Sequence, residues 1–216
     1  SETDKSIQKK VGRELVTKYD FLSEELLTTF LSRFGFPVIG EEGGGELPDG
    51  CYWVIDPLDG TNNFSFGIPH FCVTIALIDK DPIFGIVYDP LRDEMFYATA
   101  GKGAFLNDHQ ITVSTAGIMA EGIYATGFSY TLSADNYNNL DNFSRVTIKA
   151  RGTRRMGAAA LDLSYVACGR FDGYWETGLK IWDMAAGALL VREAGGLVSR
   201  FDTTPWRVTD SFILSS

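Results

Sequence analysis

In the stretch WVIDPLDGTNNF, residues 53–64, two carboxylates stand three positions apart at the end of an apolar run. Asp56 and Asp59 flank Pro57 and Leu58, and Gly60 and Thr61 follow at once. Alone the pair is a weak signal, because Asp-Pro and Asp-Gly are common turn dipeptides. Other acids in similar places add weight: Glu41 and Glu42 close a second apolar segment, and Asp183 follows Trp182 at the start of a helix-like run. Carboxylates gathered without basic neighbours repel one another unless hard cations such as Mg²⁺ sit between them, so a shared metal site is the economical reading. Pro57 fixes the backbone between the acids, and the turn can aim both carboxylates and the Leu58 carbonyl at one centre. Gly60 lets a ligand approach closely, and a helix opening at Thr61 offers free N–H groups to a phosphate.

Two competing motifs fail on spacing. A nucleophilic-aspartate phosphatase of the haloacid dehalogenase type needs Asp-x-Asp-Gly-Thr, but its first aspartate position is Pro57 here, and Asp56 lies one residue too early. A calcium loop of the EF-hand type alternates its ligands at positions 1, 3 and 5, which this stretch does not.

The elements that must hold these residues follow from periodicity. Apolar residues at helical spacing predict one or two helices over 5–34, with Thr3 and Asp4 as candidate caps. Short strands are expected at 36–39 and 52–55, both ending in acid, with the Gly-rich GEEGGGELPDG between them. A meander follows at 73–78, 83–88 and 95–99, then a hairpin signal in GKGAFLNDHQ. Small and apolar residues predict helices at 157–168 and 183–193. The alternation of blocks points to a layered α/β or α+β architecture.

Composition bounds the rest. With 216 residues, 45% hydrophobic and 13% aromatic, the chain can bury a full core as a single domain. No apolar run approaches the roughly 20 residues of a membrane helix, and nothing from Ser1 onward resembles a signal peptide, so a cytoplasmic protein without membrane contact is expected. The net charge of −9 argues against nucleic acid as the main partner. Two histidines, His70 and His109, are too few for a His-rich metal site, with His70 the nearer to the motif. Cys51, Cys72 and Cys168 lack CxxC spacing and read as buried thiols.

Four ordered blocks, SETD (1–4), IGEE (39–42), WVIDPLDGTNNF (53–64) and IWDMAAGALLVREAGG (181–196), make nearly the whole chain resemble the inositol monophosphatase family, especially its bacterial members. The resemblance implies an αβαβα sandwich shared with fructose-1,6-bisphosphatase. It also implies two to three Mg²⁺ ions, hydrolysis of a small polyol or sugar phosphate, lithium inhibition and a homodimer. By the same resemblance, Glu41, Asp56 and the Leu58 carbonyl hold the first metal, and Asp56, Asp59 and Asp183 the second. Thr61 with Glu41 activates the attacking water, and Asp4 bonds that threonine. Asp59, Gly60, Thr61 and Asp183 surround the phosphate. Glu176 meets the hydroxyls of the alcohol, Gly157, Ala158 and Ala159 flank its ring, and Phe128 stands where some animal members carry a serine. Arg154 and Arg155 are open to roles at the substrate, a partner subunit or surface acids.

Fructose-1,6-bisphosphatase activity, nucleotide 3′-phosphatase activity and a regulatory binding role on the same scaffold stand as alternatives. Asn62-Asn63 after the DGT disfavours the nucleotide version. The chain starts at SETD without the N-terminal helix and metal-loop lysine usual in the family, and stops at ILSS where members continue into a strand and helix. It is therefore read as lacking terminal parts, with Gly-rich joins such as GEEGGGEL left open as candidate places for further missing residues.

Overall fold

Alternating burial in the strands and all-round burial in two helices sort the chain into layers. The computed structural model describes residues 6–9, 15–130 and 138–216. A short pair, β1 (Gln8–Lys9) and β2 (Leu15–Val16), precedes α1 (Lys18–Leu31). Next come β3 (Val38–Gly40), β4 (Cys51–Asp59), α2 (Thr61–Phe66), β5 (Cys72–Asp79), β6 (Asp81–Asp89), β7 (Glu94–Thr99), β8 (Ala104–Leu106) and β9 (His109–Ile111). The second half holds β10 (Ile123–Thr126), α3 (Leu140–Lys149), β11 (Gly152–Arg154), α4 (Ala159–Ala167), β12 (Gly173–Thr177), α5 (Ile181–Glu193), β13 (Val198–Ser199) and β14 (Phe212–Ser215).

Strands β3 to β9 form a seven-stranded sheet in sequence order, antiparallel except for the β3–β4 pair at its edge. Strands β11-β10-β12-β14-β13 form a five-stranded mixed sheet. In β5, Cys72, Thr74, Ala76 and Ile78 are buried on the side of α5, as a period of two requires. On the other side Ile75 and Leu77 join Trp53, Ile55 and Leu31 beneath α1. Every residue of α4 is buried, which fits a helix enclosed by protein on all sides. Its small residues and the Ala185-Ala186-Gly187 run let α4 and α5 pack together between the sheets. The order is α1, large sheet, α4 with α5, small sheet, and α3 beside β11, which is the layered αβαβα architecture expected.

Two elements differ from the sequence reading. The helix expected from residue 5 begins at Lys18, because Thr17 and Asp20 build a capping box. Tyr19 N–H donates to Thr17 Oγ1 at 3.1 Å, and Thr17 N–H donates to Asp20 Oδ2 at 2.8 Å. Thr3 and Asp4, the expected caps, lie outside the described residues. Strand β4 does not stop at residue 55 but runs on through Pro57 to Asp59. The hairpin in GKGAFLNDHQ is present as β8–β9, its turn made by Asn107 and Asp108 at φ 45° and 67°.

Candidate active site

A regular strand would send Asp56 and Asp59, an odd number of residues apart, to opposite faces. Strand β4 avoids this with a bulge. Asp56 pairs with Thr74 and Asp59 with Cys72, so three steps on one strand face two on the other. The extra residue turns both carboxylates to the buried face that carries Thr74 and Cys72. Pro57 is tolerated inside a central strand because the ladder is already interrupted there. Leu58 N–H donates to Asp56 Oδ1 at 2.9 Å, and Ser23 of α1 donates to the Pro57 carbonyl at 3.0 Å. Thr74 Oγ1 donates to the Trp182 carbonyl at 3.0 Å, which ties β5 to the start of α5 and brings Asp183 to the bulge.

Asp59 also caps α4 from a distance. Ala159 N–H donates to its Oδ1 at 3.2 Å and Ala160 N–H to its Oδ2 at 2.8 Å, while the helix's own N-cap, Ala158, supplies no side-chain bond. The Cys72 thiol donates to Asp59 Oδ2 at 3.6 Å. Asp183 accepts from Lys180 N–H at 2.7 Å at the head of α5. Of the three free cysteines, only Cys72 is fully buried, whereas Cys51 and Cys168 are partly exposed, contrary to the sequence expectation.

Burial pushes the Asp56 carboxyl well above its usual range, and Glu41, Asp59 and Asp183 add to this, against a small opposing pull from Leu58 N–H. Burial likewise raises Asp59 to about 6, opposed by Ala160 N–H and the Cys72 thiol. Asp183 is raised by burial and then by Asp59 and Glu41. These acids are thus held close in spite of mutual repulsion. As hard oxygen donors they fit a divalent cation such as Mg²⁺, which would relieve that repulsion. Among the described residues no three His, Cys, Asp or Glu side chains form a ready-made cage. Several of the carboxylate oxygens instead take the N–H groups of Leu58, Ala159, Ala160 and Lys180.

Glu41, Asp56, Leu58, Asp59, Gly60, Thr61, Gly157, Ala159, Glu176 and Asp183 all line one cleft of about 340 Å³. Ala158 does not: it is 1% exposed and packs behind Gly60. The Ala159 N–H is engaged by Asp59. Gly60 is required by its backbone, at φ 92°, and by space, since a Cβ would lie 3.0 Å from the His70 carbonyl. Arg155 and Phe128 also line the cleft, whereas the Arg154 guanidinium donates to the Thr153 carbonyl on the surface. Burial raises the Glu176 carboxyl to about 7, opposed by a hydrogen bond from Tyr174.

The bond to Thr61 that the resemblance gave to Asp4 is made by Asp20; Asp4 lies outside the described residues. Thr61 Oγ1 lies 3.0 Å from Asp20 Oδ1 and 3.0 Å from the Leu58 carbonyl. Asp20 is 1% exposed and also accepts from Thr17 N–H and Thr17 Oγ1, so three donors converge on it. Thr17-x-x-Asp20 before an apolar run is a capping-box signature, the signal by which the sequence could have revealed it. Asn63, read from the sequence only as a mark against the nucleotide version, has a structural role that the sequence reading did not assign. Its Nδ2 donates to the His70 carbonyl at 2.7 Å and the Met156 carbonyl at 2.8 Å, clamping α2 to the segments that lead into β5 and α4. His70 is buried, with Nε2 3.4 Å from Asp162 Oδ1, while His109 is exposed.

Among the described residues no helix is long and apolar enough to cross a membrane. The model of the inositol monophosphatase family matches residues 1–215. An inositol-1-monophosphatase of Synechocystis sp. is 43% identical over 97% of this chain and 75% of its own length. A Pseudomonas aeruginosa protein named Nus factor SuhB is 46% identical over 91% of this chain and 76% of its own. The solved inositol monophosphatase of Anabaena (Nostoc) sp. superposes with a TM-score of 0.88 at 40% identity, covering 91% of this chain and 80% of that one. The bulge that aligns two acids, the threonine behind them and the layered sheets thus stand in a chain that belongs to the inositol monophosphatase family, a family of phosphatases.

Proposed function

We propose that this chain is a Mg²⁺-dependent phosphomonoesterase for inositol monophosphate or a related small polyol or sugar phosphate. The observation that carries the reading is the β4 bulge, which turns Asp56 and Asp59 to one face beside Asp183 and next to the Thr61–Asp20 pair. When bound at Glu41, Asp56, the Leu58 carbonyl, Asp59 and Asp183, Mg²⁺ supplies charge neutralisation on the phosphate and a water acidic enough to attack near neutral pH. Thr61 keeps oxygen lone pairs available to that water while its proton points at Asp20 or the Leu58 carbonyl. As the water attacks, its proton passes to Thr61 Oγ1 and the threonine's own proton passes to Asp20 Oδ1, with Glu41 helping to orient the water. The N–H groups of Gly60 and Thr61 hold phosphate oxygens, and Glu176 accepts hydroxyls of the alcohol.

The assay is phosphate release from inositol-1-phosphate, fructose-1,6-bisphosphate and 3′-phosphoadenosine 5′-phosphate over a Mg²⁺ series, with the first expected to be turned over best. Failure to release phosphate from any of them in a metal-dependent way removes the reading. For the relay, Asp20→Asn is expected to lower kcat by ~10² to 10³, the range of a lost general base. Calorimetric Mg²⁺ affinity should stay within about twofold, because Asp20 is not among the proposed ligands. An unchanged kcat would show that Asp20 only caps α1.

One observation favours a second reading. Relatives named Nus factor SuhB match as well as those named inositol-1-monophosphatase, 46% against 43% identity. A binding role on the same scaffold therefore stands beside catalysis. It becomes the better reading if calorimetry finds Mg²⁺ binding and no phosphate is released.

A further inference from the structure

Strand β12 sends Tyr174 and Glu176 to one face and Trp175 to the other, where its Nε1 donates to Asn139 Oδ1 at 2.6 Å. Tyr174 is 0% exposed, so its phenol must find a protein partner. It finds Glu176: the hydroxyl donates to Oε2 two residues along the same strand. The opposite side of that carboxylate is shaped by Gly127. A methyl group built on Gly127 would overlap Glu176 Oε1, Oε2 and Cδ together. The backbone of Gly127 lies outside the left-handed region and does not itself demand glycine. Residue 127 is instead pinned through its carbonyl, which accepts from Asn139 Nδ2 at 2.7 Å. The side chain missing at 127 leaves a slot, and the carboxylate lies in it, open to the cleft.

We propose that Tyr174 and Gly127 are positioning residues that hold the Glu176 carboxylate as a reader of substrate hydroxyls, and so set a preference for phosphates of polyols over phosphates of alcohols without neighbouring hydroxyls. The inference rests on the substrate role proposed for Glu176. The tyrosine occupies one lone pair of Oε2 and leaves Oε1 free to accept from the ligand, while the slot removes alternative rotamers. Hydroxyl recognition is then pre-organised rather than assembled on binding. Without the tether, a carboxylate in this half-buried place is free to turn away, and the hydroxyls lose an aligned acceptor.

The test is the ratio of kcat/KM for inositol-1-phosphate to that for p-nitrophenyl phosphate, whose leaving group has no hydroxyl to read. Tyr174→Phe is expected to lower the ratio about tenfold, through KM for inositol-1-phosphate rather than through kcat. Gly127→Ala, which fills the slot, is expected to lower it at least as much, and gives an independent reading should either variant fold poorly. Combining Tyr174→Phe with Glu176→Gln should add little to Glu176→Gln alone, because both act through one carboxylate. A merely structural role for Tyr174 would depress both substrates together and leave the ratio where it is, which overturns the proposal. If Glu176→Gln lowers the ratio while neither Tyr174→Phe nor Gly127→Ala does, the positioning inference fails alone. If Glu176→Gln leaves the ratio intact, the substrate role of Glu176 fails and the inference with it.

Discussion

Asp59→Asn is expected to lower Mg²⁺-dependent turnover by ~10³, a barrier increase of about 4 kcal/mol, while raising the melting temperature of the metal-free protein at pH 7. The two effects have one origin, because Asp59 serves both a proposed ligand set and the head of α4. The asparagine keeps a single acceptor for the paired N–H groups of Ala159 and Ala160, so part of the cap is lost, at about 1 kcal/mol. Against this, the wild-type carboxyl is pushed from 3.8 to about 6. At pH 7 its ionised form therefore destabilises the fold by ~3 kcal/mol relative to a neutral group. The electrostatic relief outweighs the weakened cap, and a net gain of ~2 kcal/mol in a chain of this size is worth roughly 4 to 8 °C. At pH 4 the native carboxyl is protonated and the unfolded one about half so, the relief shrinks to roughly 0.5 kcal/mol, below the cap loss, and the variant should melt slightly below the wild type. Thermal scans at the two pH values with excess chelator check the crossover. A variant that melts lower at both would mean that capping, not charge, dominates at this position.

How far the site was legible in the sequence depended on what kind of signal each residue carries. Asp56, Asp59, Glu41 and Asp183 declare themselves as acids at element ends, and all four line the cleft. Their convergence was expected from a turn at Pro57, but the device that produces it was not legible: strict alternation in a continuing strand places residues 56 and 59 on opposite sides, and only the register with β5 reveals the bulge. Asp20 was readable through its capping box but was hidden by a helix extended back to residue 5. The apolar spacing there continues without a break in period, and only the Thr17 cap sets the boundary. The long strands of the large sheet were evident from their apolar runs. The small sheet was not, since its strands are two to five residues long and two of its pairings are parallel, with partners far apart in the chain. Glu176 gave no local signal beyond a single acid between Trp175 and Thr177. Its significance comes from the tyrosine and glycine that enclose it, and the glycine is distant in the chain, on the segment that follows β10.

The metal-free wild type should lose stability as pH rises from about 4 to 7.5, the reverse of the usual acid denaturation, and Mg²⁺ should restore it at the upper end only. Asp59 is raised from 3.8 to about 6 and Glu176 from 4.5 to about 7, in both cases mainly by burial. Asp56, Asp162 and Asp183 move in the same direction. A carboxyl with a raised native pKa holds its proton in the folded state after the unfolded chain has released it. Within this window the native state binds more protons, the slope of unfolding free energy against pH is negative, and each such group adds to the fall. Asp59 and Glu176 contribute several kcal/mol between them, enough for a drop on the order of 10 °C. Cations should reverse only the share owed to their ligands: at 100 times its dissociation constant, Mg²⁺ is worth ~2.7 kcal/mol near pH 7.5, and much less at pH 4.5 where protons occupy the same oxygens. The part owed to Glu176, which faces the alcohol side of the cleft, should persist with Mg²⁺ present and disappear in Glu176→Gln. Calorimetric scans of wild type and Glu176→Gln, with chelator and with Mg²⁺ at the two pH values, separate these contributions. A melting temperature that rises with pH across this window in the metal-free protein, or a Mg²⁺ effect of equal size at both ends, would mean that the buried acids do not form a strained cluster.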